Sequence, residues 1–394
     1  MKIAICGAGI AGPTLAHFLL REGHEPMLIE SAPAFRTGGY VVDFWGLGFT
    51  IAERMGVIDA VLDRGYQAEE VRLVTRDGHA AGGFKADVFR RMTHDRFTSI
   101  PRGDLAEILF ETVKDRVETR FGDSVAALHD TGDGMEVRLE SGGSWDVDMV
   151  VGADGLHSRI RQLAWGAQSE FERPLGYHVA AFEAAGYPKR DDNVYVTHSE
   201  PGLSLARFSL RGDRTLFMML FSDEHFGAET PETLADQRAL LRSVFDGAGW
   251  EAQEILGVLD TVEAFYFDRI SQIEMPEWSR GRVVLLGDAA ACASLMAGEG
   301  TGLAMTEAYV LAGELGRSGG DVVAAGRAYE ARLRHFIDAK QKAARAFAGS
   351  MIPETAFGVW VQRIATRAMV LPPIADFFIG DSLRDDFVLP DYEF

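Results

Sequence analysis

Three places in this chain combine glycines with an acid, a pairing suited to holding sugar and phosphate groups. The first is Gly7-Ala8-Gly9-Ile10-Ala11-Gly12, with Glu30 following 21 residues after Gly9. Gly7 suits a tight turn, Gly9 a close backbone approach to a pyrophosphate, and Gly12 close packing of helix on strand. The helix that follows, with Ala11 in the same contact set, offers free N–H groups and partial positive charge to phosphates. A carboxylate at Glu30 can accept hydrogen bonds from ribose hydroxyls. It would repel a 2′-phosphate, which argues against NADP at this motif and leaves FAD and NAD open. The second place is Gly152-Ala153-Asp154-Gly155-Leu156-His157-Ser158. The third is Gly287-Asp288, with the cluster Gly298-Glu299-Gly300-Thr301-Gly302 behind it. Each follows a short apolar block, and an acid at the C-terminal end of a parallel strand lies where ligands bind in open α/β sheets.

The elements that must position these residues are readable from pattern. Residues 3–6 form a buried strand, 13–22 a helix with Pro13 in its first turn, and 25–29 a second strand. Gly7, Gly9, Gly12 and Pro13 interrupt the apolar run 3–20, so it reads as strand and helix rather than signal peptide or membrane span. Helices are expected at 49–64 and 102–113. Strands follow at 178–184, 193–198, 203–210 and 215–221, with a hairpin turn at 211–214. Helices at 231–246 and 250–258 precede strands at 265–270 and 283–286. Two long helices, 301–316 and 321–348, lead to a partly helical tail. The expected fold is α/β: a Rossmann-like dinucleotide-binding domain with an inserted antiparallel-sheet domain and C-terminal helices. The boundaries are 1–72 with 100–172 and 268–345 for the first, 73–99 with 173–267 for the second, and 346–394 for the tail.

Composition narrows the partners. The 394 residues carry a formal net charge of −20, which disfavours nucleic acid and stable association with anionic membranes. Two cysteines, Cys6 and Cys292, make no disulfide framework and point to a reducing compartment, the cytoplasm. No Cys/His spacing suits a metal.

Taken together, the motifs resemble those of the FAD-dependent aromatic hydroxylases, the one-component flavoprotein monooxygenases similar to para-hydroxybenzoate hydroxylase. The resemblance is strongest to the tetracycline destructase and antibiotic-tailoring branch. It rests on Gly7-x-Gly9-x-x-Gly12, Glu30, Arg102-Gly103-Asp104-Leu105, Gly152-Ala153-Asp154-Gly155-x-x-Ser158 and Gly287-Asp288. It implies FAD in the first domain, contacted by Arg102 and Asp288, with the Asp154-Gly155 segment near FAD and NAD(P)H pyrophosphates. It further implies NAD(P)H as co-substrate and O2 transfer to a planar aromatic or polyketide-like molecule through a C4a-hydroperoxyflavin, tetracycline being one candidate. Alternatives are a flavin oxidase or reductase, or a sequestering protein that keeps FAD without turnover. A halogenase is disfavoured by the missing Gly-Trp-x-Trp-x-Ile-Pro segment.

The chain departs from that pattern at Ala291, Leu295, Glu299 and Gly302, where the resemblance implies His, Pro, Gln and Asn. Glu299 is read as facing solvent at a helix N-terminus. Gly298 and Gly300 belong to the N-terminal end that would face the flavin N1/C2=O edge. Arg36 and the segment Gly38–Val42, which includes Gly39, are expected to be mobile over the flavin. His178, Phe182, Arg207 and Phe217, on the inserted sheet, are candidates for substrate contact.

Overall fold

Ile3, Ala4 and Ile5 are fully buried, as a strand covered on both faces must be. Their strand, Lys2–Cys6, is hydrogen-bonded in parallel to Met149–Gly152 on one side and Glu25–Glu30 on the other. The computed structural model describes residues 1–35, 40–188, 190–226, 231, 233–263, 265–295, 298–371, 373–375 and 385–394, and of Phe347 the backbone alone. Among the described residues, the central sheet has six strands in the order Ser279–Arg280, Val283–Leu285, Met149–Gly152, Lys2–Cys6, Glu25–Glu30 and Glu118–Phe121. All its pairings are parallel except the edge pair Ser279–Arg280 with Val283–Leu285. The three glycine–acid segments therefore leave the same edge of one sheet, at the ends of three neighbouring strands.

The helix Ala11–Arg21 covers this sheet and packs on the long helix Gly300–Arg317, with Phe18 edge-on to Tyr309 at 5.1 Å. The chain's end closes over that contact, Phe394 lying 4.7 Å from Phe18. The region expected as one helix at 49–64 is two, Gly46–Met55 and Ile58–Arg64, because Gly56 takes a left-handed conformation that stops the first.

The second sheet has seven strands, in the order Tyr266–Ile273, Glu172–Ala185, Arg214–Ser222, Leu203–Leu210, Val194–Glu200, Glu70–Val74 and Ala80–Lys85. Its pairings are antiparallel except that of Val194–Glu200 with Glu70–Val74. That parallel pair arises because the chain passes through the first sheet between the two strands. One face packs on the helices Leu234–Val244 and Ala252–Val258, burying Phe182, Phe217 and Phe221 against Leu241, Phe245 and Ile255. The opposite face looks toward the first sheet across a two-stranded ribbon, Val41–Trp45 with Phe97–Pro101. The helix Val322–Met351 then runs past both sheets and is followed by Ala356–Ala368. Among the described residues no helix is long and apolar enough to cross a membrane, and no group of three or more His, Cys, Asp or Glu is placed to hold a metal.

Candidate active site

A cavity of about 640 Å³ runs from the ends of the parallel strands to the open face of the seven-stranded sheet. Gly7, Gly9, Ala11, Glu30, Arg102, Asp154, Gly155, Asp288, Gly298 and Gly300 all line it. The chain thus gathers residues that are up to 293 positions apart, Gly7 to Gly300, at one sheet edge.

The first turn needs glycine at two positions because there is no room for a side chain at Gly7 or Gly12. Gly7 has φ +108°, and a Cβ there would sit 2.3 Å from the Ala153 carbonyl oxygen. A Cβ on Gly12 would sit 2.0 Å from the Gly7 carbonyl oxygen. Gly9 opens toward Arg102, whose Nη2 would be 3.6 Å from a Cβ at that position. The helix behind this turn starts at Ala11 with no side-chain cap, so its first N–H groups face the cavity unclaimed by side chains. The helix Gly300–Arg317 likewise starts with no side-chain cap, beside Asp288. Two uncapped helix starts on one cavity, with a glycine cradle between strands, fit the pyrophosphate and flavin of FAD.

The acids divide into two kinds. Asp288 lines the cavity; burial raises its pKa, while Arg102, a hydrogen bond from Cys292 and then Arg161 pull it back toward the charged form. Glu30 accepts the Ala8 N–H at 3.0 Å through Oε2 and the Ala32 N–H at 2.8 Å through Oε1, fastening the strand end while lining the cavity. Asp154 also lines the cavity and has a second task. Oδ1 accepts Ser158 Oγ–H at 2.5 Å, and Oδ2 accepts the N–H groups of Arg159 at 2.7 Å and Ile160 at 3.1 Å. Its carboxylate thus caps the start of the helix Arg159–Ala164 while Asp154 and Gly155 line the cavity.

Residues that sequence reasoning missed hold these segments together. Arg161 is fully buried; Nη1 donates to the Ala289 carbonyl at 3.0 Å and Nη2 to that of Leu156 at 2.5 Å, tying the second motif to the third. Glu307 Oε2 accepts the Gly287 N–H at 2.7 Å and the Tyr329 O–H at 2.8 Å. Burial pushes Glu307 up to about 7, against the pull of Tyr329. A single acid inside the apolar run Leu303–Gly313 was the available signal for it.

Of the four substrate candidates on the large sheet, His178, Phe182 and Phe217 are absent from the cavity lining, whereas Arg207 borders it with its guanidinium turned away. His178 pairs with Phe221, Phe182 with Phe217, and Arg207 with Phe217, so all share the face turned to the helices. Arg207 Nε donates to Glu251 Oε2 at 2.8 Å and Nη2 to Asp191 Oδ2 at 2.8 Å, which makes it part of a buried ion network. His178 stacks on Phe226 with ring centroids 3.7 Å apart. The cavity face carries their neighbours instead: Val179, Ala206, Phe208, Leu216, Met218 and Leu220. Identification of strands was sufficient to find the sheet, but the period of two leaves the choice of face to whatever packs on it.

Glu299 is corrected as well. It is 7% exposed, and its Oε2 lies 2.7 Å from Lys340 Nζ, which also pairs with Asp385 at 3.1 Å. Burial pushes it up to about 7, with Lys340 pulling the other way. Leu295 packs against the cluster containing Ile352, and Ala291 is buried. Gly302 lies against Gly48, where the helix Gly46–Met55 meets Gly300–Arg317. Arg36 and Gly39 lie outside the described residues.

Comparison with known proteins agrees with this geometry. Residues 1–348 match the FAD binding domain family. A flavin-dependent monooxygenase from an unknown prokaryotic organism is 33% identical over 92% of this chain and 89% of its own length. A flavin-dependent monooxygenase from Legionella longbeachae serogroup 1 (strain NSW150) is 31% identical over 100% of this chain and 98% of its own. The crystal structure of tetracycline destructase Tet(51) superposes with a TM-score of 0.84 at 29% identity, covering 100% of this chain and 99% of that one.

Proposed function

From the premise that the chain belongs to the FAD binding domain family and is an FAD-dependent monooxygenase, we propose that it uses NAD(P)H and O2 to oxygenate a planar aromatic or polyketide-like small molecule. The observation that carries this reading is the single cavity that joins the glycine–acid cradle to an apolar sheet face. Likeness over the full chain to a tetracycline destructase makes tetracycline-type polyketides the first compounds to try, and modification of an antibiotic the first role to test.

In this reading Gly7, Gly9 and Ala11 cradle the FAD pyrophosphate, Gly12 keeps helix and strand in contact behind them, and Glu30 takes the adenosine ribose. Arg102 and Asp288 flank the remainder of the cofactor, and Gly298 and Gly300 present a helix start to the flavin edge. FAD, when bound, supplies the electron transfer and oxygen activation that no side chain here provides. The chain's own part is to hold the substrate at the sheet face, keep water away with Phe208, Met218 and Leu220, and leave reduction to a transient nicotinamide. One complete Gly-x-Gly-x-x-Gly fingerprint supports a nicotinamide that visits rather than resides. The residues 1–72, 100–172 and 268–345 would carry FAD, and 73–99 with 173–267 the substrate wall. Cys6 and Cys292, both buried free thiols, fit work in the cytoplasm.

Anaerobic mixing with NADH and with NADPH tests the electron supply. Loss of the yellow flavin absorbance is expected with at least one nicotinamide and is faster when a polyketide or phenolic substrate is present. FAD that neither nicotinamide bleaches would refute the nicotinamide part of the reading.

A further inference from the structure

At the end of the cavity formed by the large sheet the wall is mainly apolar, and Asp43 interrupts it. Asp43 lies on the ribbon strand Val41–Trp45, directly opposite Ser99. Alternation sends Val42 and Phe44 into the core of the parallel sheet and turns Val41 and Asp43 toward the large sheet. Val41 packs there with Phe208 and Leu216.

Two hydroxyls reach Asp43, from different sheets. Ser99 Oγ donates to Oδ1 at 2.6 Å, and the Tyr195 hydroxyl, on the large sheet, donates to the same Oδ1 at 3.3 Å. Tyr195 is itself stacked on Phe208 with centroids 4.4 Å apart, which fixes its reach. No described residue donates to Oδ2. Asp43 is partly exposed, so a ligand that fills this end of the cavity must replace the hydrogen bond Oδ2 otherwise makes to water or leave the carboxylate unpaired. Burial raises its pKa, with Ser99 and Tyr195 acting in the opposite direction.

We propose that Asp43 Oδ2 accepts a hydrogen bond from a hydroxyl of the substrate, so that the enzyme selects phenols or enols over their ethers. The proposal rests on reading this cavity as the substrate site and names the group that recognises the substrate there. Ser99 and Tyr195 are positioning residues: by occupying Oδ1 they leave Oδ2 as the oxygen presented. An O–H that donates to a carboxylate also gains electron density on its ring or enol carbon, which favours attack on an electrophilic oxygen.

The test uses the FAD-loaded protein and the probe pair 1-naphthol and 1-methoxynaphthalene, with binding read from the change in flavin absorbance. The wild type is expected to prefer the naphthol by about ten- to hundredfold, the worth of one hydrogen bond to a charged acceptor. In Asp43→Asn the Ser99 and Tyr195 hydroxyls hold the amide oxygen, the NH2 faces the cavity, and the preference is expected to vanish. Ser99→Ala, which keeps the carboxylate, is expected to retain part of it and serves if the Asn variant does not fold. An unchanged naphthol-to-ether ratio in Asp43→Asn, or no preference in the wild type, overturns the proposal. Binding is read without turnover, so an enzyme that shows the preference but oxygenates nothing would refute the oxygenase reading and leave Asp43 as the recognising group.

Discussion

The Ala153 carbonyl oxygen occupies the space in which Gly7 would carry a side chain, 2.3 Å from the position of a Cβ. The contact joins the first and second glycine–acid segments, since Ala153 N–H also donates to the Cys6 carbonyl at 2.7 Å. The cofactor cradle is therefore a consequence of two strands being adjacent, and it admits no side chain at Gly7.

Gly7→Ala is expected to lower FAD affinity by at least tenfold. The substitution adds about 1–3 kcal/mol of backbone strain at φ +108° before the clash with Ala153 is counted. Titration of the apoprotein with FAD, followed by flavin fluorescence quenching, measures it. Wild-type affinity in this variant would remove the cradle from the FAD site.

Arg207→Ala is expected to act on stability. Arg207 is 4% exposed and holds Glu251 and Asp191; Arg190 and Arg72 remain on those carboxylates, so its loss removes buried charged hydrogen bonds at a cost of about 1.5–3 kcal/mol. Urea unfolding should show the loss. Full stability with a raised substrate KM would instead return Arg207 to the substrate site.

Lys340→Met tests the cluster at the third motif. It leaves the buried Glu299 and the half-buried Asp385 without this cation, and Asp385 also accepts the Leu47 N–H at 2.8 Å. A loss of about 3 kcal/mol is expected, and restoration by adding Glu299→Gln would assign it to the stranded charge. If the double variant is no more stable than the single one, Glu299 is not the stranded partner.

Glu307 makes a pH-dependent contribution of known sign. Its ordinary value is 4.5 and in the folded protein burial pushes it up to about 7. Between these values the folded state holds a proton that the unfolded chain releases, so this stabilisation is full below about 4.5 and is lost as pH rises to about 7. The loss is roughly 3 kcal/mol at most. Glu307→Gln keeps acceptors for Gly287 and Tyr329, and should therefore gain on the wild type as pH rises from 5 to 7.5. Parallel stability curves for the two proteins across that range would show that Glu307 does not titrate there.

The cradle was legible in the sequence because its spacing is dictated by one strand–turn–helix unit: Gly7, Gly9, Gly12 and Glu30 depend on local geometry alone. The strands of the large sheet were legible from alternation, and 203–210 matches the strand Leu203–Leu210. The face was not, because His178 and Val179 differ only in parity, and the helices that cover one side lie at 234–258. The second task of Asp154 was not legible: an acid after a strand suits both a ligand and a helix start, and Ser158, Arg159 and Ile160 all donate to it. Glu299 could not be placed without Lys340 and Asp385, which approach from 41 residues away and from the tail. Asp43 carried no motif; its importance comes from Ser99 and Tyr195, which only the meeting of two sheets brings to it.

The most direct test of the function is the fate of the oxygen atoms. Purified FAD-loaded protein is incubated with NADPH or NADH, a panel of tetracycline-type and phenolic compounds, and 18O2, and the products are weighed by mass spectrometry. The expected result is a product heavier by one labelled oxygen atom, formed together with substrate-stimulated oxidation of the nicotinamide. A product that has only lost hydrogen, or nicotinamide oxidation that yields peroxide with every compound unchanged, would contradict oxygen transfer to this class of substrate.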